Sequence, residues 1–202
     1  HPDGWLFKMG VLDFAGGTVV HISAGCAALA AALYLGKKKE GSEQHDPANI
    51  PFVLIGTGIL WFGWFGFNAG SALGSGTLAA TAFATTNTAA AAAGLTWVFF
   101  DSAVRKKKPS AMGFCIGAVV GLVAITPAAG YVGVAHSIFI GTCASVISNL
   151  IVGWRAKSSL DDTLDVFPCH GVGGMTGMLL TGVFASKLIN HAATDGWING
   201  GG

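Results

Sequence analysis

Four long tracts of this chain, residues 14–35, 47–100, 109–154 and 166–186, contain no Asp, Glu, Lys or Arg. A helix crosses bilayer hydrocarbon with about 20 apolar residues, so the first and last tracts are one span long and the middle two must each fold back once. Small and turn-forming residues mark the breaks, at 68–76 in one tract and at 126–130 in the other. The expectation is an all-α integral membrane protein, a polytopic transmembrane helix bundle. Its six spans are expected at about 14–35, 50–71, 77–100, 110–127, 131–154 and 166–186, in one partial membrane domain over residues 1–202. Soluble helices need a polar face, and these tracts lack one. With 52% hydrophobic and 10% charged residues, the chain has few polar groups to supply it.

The loops give an independent test of that count. Six alternating crossings put Lys37, Lys38, Lys39, Arg105, Lys106, Lys107, Lys108, Arg155 and Lys157 on one side, and of the 11 basic residues leave only Lys8 and Lys187 on the other. The positive-inside rule makes the basic side cytoplasmic, so the protein is expected in the cell membrane with both ends of this chain external. The chain starts at His1 and stops at Gly202 after a glycine run, and it reads as part of a longer protein. A net charge of +1 gives no reason to expect a nucleic-acid partner.

His21 and His170 each fall inside a predicted span. An ionisable ring at that depth is costly unless it lines a cavity or has a partner, so both are candidate functional residues. The four cysteines, Cys26, Cys115, Cys143 and Cys169, form no CxxC pair and read as small buried hydrophobes. Cys169 beside His170, with His21, would make three metal ligands at most, and no further ligand lies nearby in sequence; no metal and no cofactor are expected. A membrane enzyme built on a His–Asp base would need a nucleophile or metal beside the pair, and only Cys169 and scattered serines are on offer.

Helical spacing places both rings against tight contacts. Asp13, Gly17, His21 and Gly25 recur every four residues, and Gly171, Gly174 and Gly177 every three beside His170. The two spans run in opposite directions, as an inverted repeat around a midplane site requires. Depth sets a condition. At 1.5 Å per residue His21 lies roughly 12 Å from its outer end and His170 roughly 7 Å from its inner end. In a core of about 30 Å the rings meet only if the sixth segment starts before Asp165 or is sunk into the protein. The stretch 161–165 is therefore expected to be partly buried, capping or packing.

In the second span Trp64, Phe67 and Ser71 share one helical face, ordered towards the external end. An interfacial aromatic belt would explain the rings but not the serine above them. Thr126, before a proline at a segment end, reads first as a cap or turn, and Asn68 is similarly a weak candidate.

Four stretches now carry a resemblance: Asp13-Phe-Ala-Gly-Gly-Thr-Val-Val-His21, Gly63-Trp-Phe-Gly-Phe-Asn-Ala-Gly-Ser71, Thr126-Pro-Ala-Ala-Gly-Tyr131 and Asp165-Val-Phe-Pro-Cys-His-Gly171. In this order they resemble the ammonium transporter (Amt/Mep/Rh) family, on its Amt side. The resemblance implies a homotrimer of eleven-helix subunits with inverted repeats, each with its own pore, carrying ammonium or ammonia across the bilayer. His21 and His170 would be twin histidines of a hydrophobic lumen, sharing a hydrogen bond. Ser71 would belong to the external recruitment site, Phe67 to the gate beneath it, Trp64 to the wall beside the histidines, and Asp13 would shape the outer site. The chain matches about the fifth to the tenth helix, so the outer site's other aromatics would come from elsewhere in the protein. A cytoplasmic regulatory protein is a further possible partner, and an ammonium-binding membrane sensor with a transporter-like domain is the alternative function.

Overall fold

The computed structural model describes residues 3–37, 47 and 49–201; Lys38 and Lys39 of the first basic loop, like His1 and Gly202, lie outside them. The described elements are helical. A single turn, α1 (Trp5–Lys8), precedes α2 (Ser23–Leu35), α3 (Ile50–Gly70), α4 (Thr77–Ala103), α5 (Ala111–Ile125), α6 (Val134–Arg155) and α7 (Gly173–Phe184), and a 3-10 turn (Trp197–Asn199) follows. Two π-helical stretches, Gly17–Ile22 and Phe167–Val172, lead directly into α2 and α7. Three helical runs, Gly17–Leu35, Ile50–Gly70 and Val134–Arg155, are long and apolar enough to cross a membrane. The others fall short for different reasons. Repeated threonines dilute the hydropathy of α4, and α5 has only 15 residues.

Local chemistry starts these helices where the sequence allows. The Asn49 side chain accepts from Phe52 N at 3.1 Å with Pro51 in the first turn of α3, and Ser110 caps α5 through Gly113 N at 3.0 Å. The break after α5 is not a surface loop. Thr126, Ala128, Ala129 and Val132 are fully buried there, and Phe14 N donates to Pro127 O at 3.0 Å. A buried turn is tolerated because its polar groups are paired: Thr85 Oγ1 donates to Ala129 O at 2.8 Å, and Ser186 N to Tyr131 O at 2.9 Å.

The core lies where α4 packs between α5 and α6. Missing side chains make the approach possible, since a Cβ on Gly117 or Gly121 of α5, or on Gly141 of α6, would strike α4 backbone at Ala93 or Ala89. Polar groups on α4 and α6 satisfy one another across this seam, as with Ser145 Oγ donating to Ala93 O at 2.8 Å. By contrast α2 and α3 turn Leu33, Phe52, Ile59 and Phe62 outward. Large exposed apolar faces on helices of this length suit lipid or further protein rather than water.

Candidate functional site

Both histidines sit in the π-helical stretches, and the two stretches are built alike. Asp13 caps the start of the first: its Oδ1 accepts from Gly16 N at 3.1 Å and Gly17 N at 2.6 Å, and its Oδ2 from Thr18 N at 2.9 Å. Asp162 does the same for the second, accepting from Val166 N at 3.0 Å and Phe167 N at 2.8 Å. Carboxylates satisfy the orphan N–H groups of a helix start and favour its positive end. Each aspartate precedes its histidine by the same interval, Asp13 to His21 and Asp162 to His170. The packing repeats too. A Cβ on Gly25, one turn after His21, would strike the backbone of Gly171; a Cβ on Gly174, one turn after His170, would meet Ile22 Cγ1 at 2.9 Å.

This crossing brings the imidazoles of His21 and His170 to 5.7 Å between ring centroids, with planes 54° apart. The sixth segment meets the depth condition by being sunk rather than by starting early. Its helix begins after Asp165, whose carboxylate is only 17% exposed and pairs with the 9% exposed Arg155 at 2.6 Å. The expected burial of 161–165 thus holds for Asp162 and Asp165, whereas Thr163 and Leu164 point outward.

Trp64, Phe67 and Thr126 close around His21. The Trp64 indole stacks on His21 at 5.1 Å and 26°, and the Phe67 ring lies 5.8 Å from it. Thr126 was legible only as a turn residue, yet its hydroxyl is the junction. It donates to Leu122 O at 2.8 Å, accepts from Trp64 Nε1 at 3.0 Å, and lies 3.2 Å from His21 Nε2. A hydroxyl has one proton and two lone pairs. With the proton on Leu122 O, the remaining lone pair calls for a protonated Nε2, which leaves Nδ1 of His21 as the acceptor. His21 Nε2 is thus engaged by Thr126, and Nδ1 is the ring atom left for any bond between the two imidazoles.

The other candidates lie further from the rings. Ser71, at the C-terminal end of α3, is partly exposed and donates to Phe67 O at 2.7 Å, so its lone pairs remain free to accept. Phe67, 38% exposed, stands between it and His21. Asn68 is fully buried and donates to Thr86 Oγ1 at 3.0 Å. Asp13 acts on the site through the backbone N–H groups it holds, whereas the Asp165 carboxylate pairs with Arg155.

Asp162 is the residue that sequence reasoning missed. It lay inside the stretch 161–165 expected to cap or pack, but it was not singled out there, and Asp165, inside the recognisable stretch, drew attention from it. The cysteines diverge as well: Cys115 and Cys169 are buried, but Cys26 is exposed. Among the described residues no group of three or more His, Cys, Asp or Glu side chains could hold a metal.

Residues 1–202 match the ammonium transporter family from end to end. An ammonium transporter of Aquifex aeolicus is 52% identical over 98% of this chain and 46% of its own length. The crystal structure of Candida albicans Mep2 superposes with a TM-score of 0.91 at 42% identity, over 98% of this chain and 46% of that one. A structure described as a sensor Amt protein superposes with a TM-score of 0.83 at 35% identity, over 94% of this chain and 49% of that one. The chain thus spans about half the length of the relatives it matches. Sequence and fold agree: this chain belongs to the ammonium transporter family.

Proposed function

We propose that the complete protein conducts ammonium or ammonia across a membrane, past His21 and His170. The observation that carries this reading is the meeting of the two imidazoles at 5.7 Å, from two π-helical stretches built alike. π-helical turns inside α-helices are frequent at functional sites.

The cost of burying charge sets the mechanism. A bare cation in an apolar passage loses hydration worth tens of kcal/mol in the Born limit, whereas neutral ammonia loses far less. Ammonium must part with its proton or be solvated again. At the outer end, Ser71 has lone pairs to accept an N–H, and aromatic faces such as Phe67 attract the cation by cation–π contact. Potassium gains the second interaction but cannot donate the first. Beneath Phe67, Trp64 and Thr126 fix the His21 ring, and its unprotonated Nδ1 is able to accept a proton or an N–H. Selectivity then rests on deprotonation. A homotrimer, external chain ends, cytoplasmic basic loops and a regulator docking on those loops complete the proposal, each resting on the family or the charge pattern.

The likeness to the sensor Amt protein supports a second reading, in which ammonium binds at the same outer site and is reported rather than conducted. Proteoliposomes of the complete protein separate the two. Ammonium-driven internal alkalinisation or acidification above that of empty vesicles supports conduction; saturable ammonium binding without flux supports the sensor.

A further inference from the structure

Both histidine stretches are entered through a left-handed residue, and at the same interval before the ring. Gly16, ahead of His21, has φ 103 and ψ 36, and Asp165, ahead of His170, has φ 53. Each carbonyl accepts from the amide just before the histidine: Val20 N donates to Gly16 O at 2.9 Å, and Cys169 N to Asp165 O at 3.0 Å. Each amide is held from behind by the capping aspartate, Gly16 N by Asp13 Oδ1 at 3.1 Å and Asp165 N by Asp162 O at 3.1 Å. The direction in which a stretch leaves its cap, and with it the position of the ring, is set at this one residue.

The two stretches reach that conformation by different means. Glycine adopts it freely, whereas a Cβ crowds the following carbonyl oxygen. Among the described residues only Leu73, Lys106 and Asp165 carry a side chain at positive φ, and the first two are exposed loop residues. Asp165 is held instead: Arg155 reaches its Oδ1 with Nε at 2.7 Å and Nη2 at 2.6 Å, both side chains being largely buried. Arg155 ends α6 and its own carbonyl accepts from Ser158 Oγ at 2.7 Å, so the guanidinium is anchored to a long helix. Unfavourable backbone persists where its surroundings over-determine it, and such residues cluster at functional sites.

We infer that Asp165 is a positioning residue for His170, held by the Arg155 guanidinium in the left-handed conformation that Gly16 takes unaided before His21. Without the guanidinium, Asp165 relaxes to negative φ, and the Cys169 amide and the His170 ring after it swing away from His21. The effect on passage rests on the proposed conduction past the two histidines; the effect on the ring contact does not.

Double variants of the complete protein separate backbone conformation from charge. Arg155→Met is combined with Asp165→Gly, Asp165→Ala, Asp165→Asn or Asp165→Gln, so that every variant loses both charges. Within each pair, Gly against Ala and Asn against Gln, the first member favours positive φ and the second does not. In proteoliposomes, the contact between isotopically labelled His21 and His170 rings is read by solid-state NMR beside ammonium flux. The glycine variant is expected to keep the ring contact and flux of the wild type, and the alanine variant to lose the contact. Its flux should fall by up to about 100-fold, the scale of loss that follows an ångström-scale misplacement of a reacting group. The asparagine variant should exceed the glutamine variant in both readouts, which decides the matter where alanine prevents folding. Equal ring contact within a pair that folds overturns the inference and leaves conduction untouched. Ring contact in the expected order, in a protein whose wild type passes no ammonium, removes conduction and leaves the inference standing.

Discussion

Gly25 and Gly171 touch through their backbones, and this contact is what lets two histidines from different helices face each other. A methyl group on Gly25 would collide with the amide nitrogen and Cα of Gly171, neither of which is the end of a flexible side chain. Overpacking of this kind costs about 1–3 kcal/mol. Gly25→Ala is expected to lower the thermal unfolding temperature in detergent and to reduce ammonium flux, because relief of the clash separates His21 from His170. A variant with wild-type stability and flux would show that the crossing tolerates a wider gap than the geometry allows.

Thr126 is predicted to position His21 through its hydroxyl rather than its methyl group. Thr126→Val keeps the shape but strands the Trp64 N–H and the His21 Nε2 proton, a loss of about 1–3 kcal/mol for buried polar groups left unpaired. Thr126→Ser restores both partners. The expected pattern is reduced flux in the valine variant and recovery in the serine variant; equal behaviour of the two assigns Thr126 a packing role only.

Much of the architecture was readable because hydropathy and charge report on solvent. The charge-free tracts each formed helix, and the breaks at 68–76 and 126–130 separate α3 from α4 and α5 from α6. What hydropathy does not encode is hydrogen-bond register. Nothing in Gly17–Ile22 or Phe167–Val172 announces a π-helical turn, so the even spacing of Gly17, His21 and Gly25 described the stripe without its local geometry. Nor could the sequence rank Asp161, Asp162 and Asp165, three carboxylates within one short loop. Only folding shows that Asp162 caps the helix while Asp165 holds Arg155. Thr126 was obscure for a similar reason, since its three partners come from α2's π-helical lead, α3 and α5.

Asp162 is predicted to match Asp13 in function. Asp162→Ala removes the acceptor of two backbone N–H groups at a helix start, where losing a cap typically costs about 0.5–2 kcal/mol. Asp162→Asn should recover part of that stability. Thermal unfolding of the two variants in detergent checks the order; an alanine variant as stable as wild type would mean that the paired caps carry no weight.

The pairing of Arg155 with Asp165 keeps the inner end of the sixth segment sunk. Removing Arg155 takes the guanidinium from a largely buried carboxylate, and breaking a fully buried pair costs about 3–5 kcal/mol. Arg155→Met is expected to destabilise the protein strongly, and Arg155→Met combined with Asp165→Leu to be milder than the single change. Additive effects in this double-mutant cycle would mean that the two side chains act independently.

The central claim is that His21 and His170 together govern what passes. Its most direct test is stopped-flow ammonium flux in proteoliposomes of the complete protein, with potassium as competitor, comparing wild type with the His21→Ala, His170→Ala double variant. The account predicts that the double variant loses ammonium flux or admits potassium. Flux and selectivity both unchanged would contradict it.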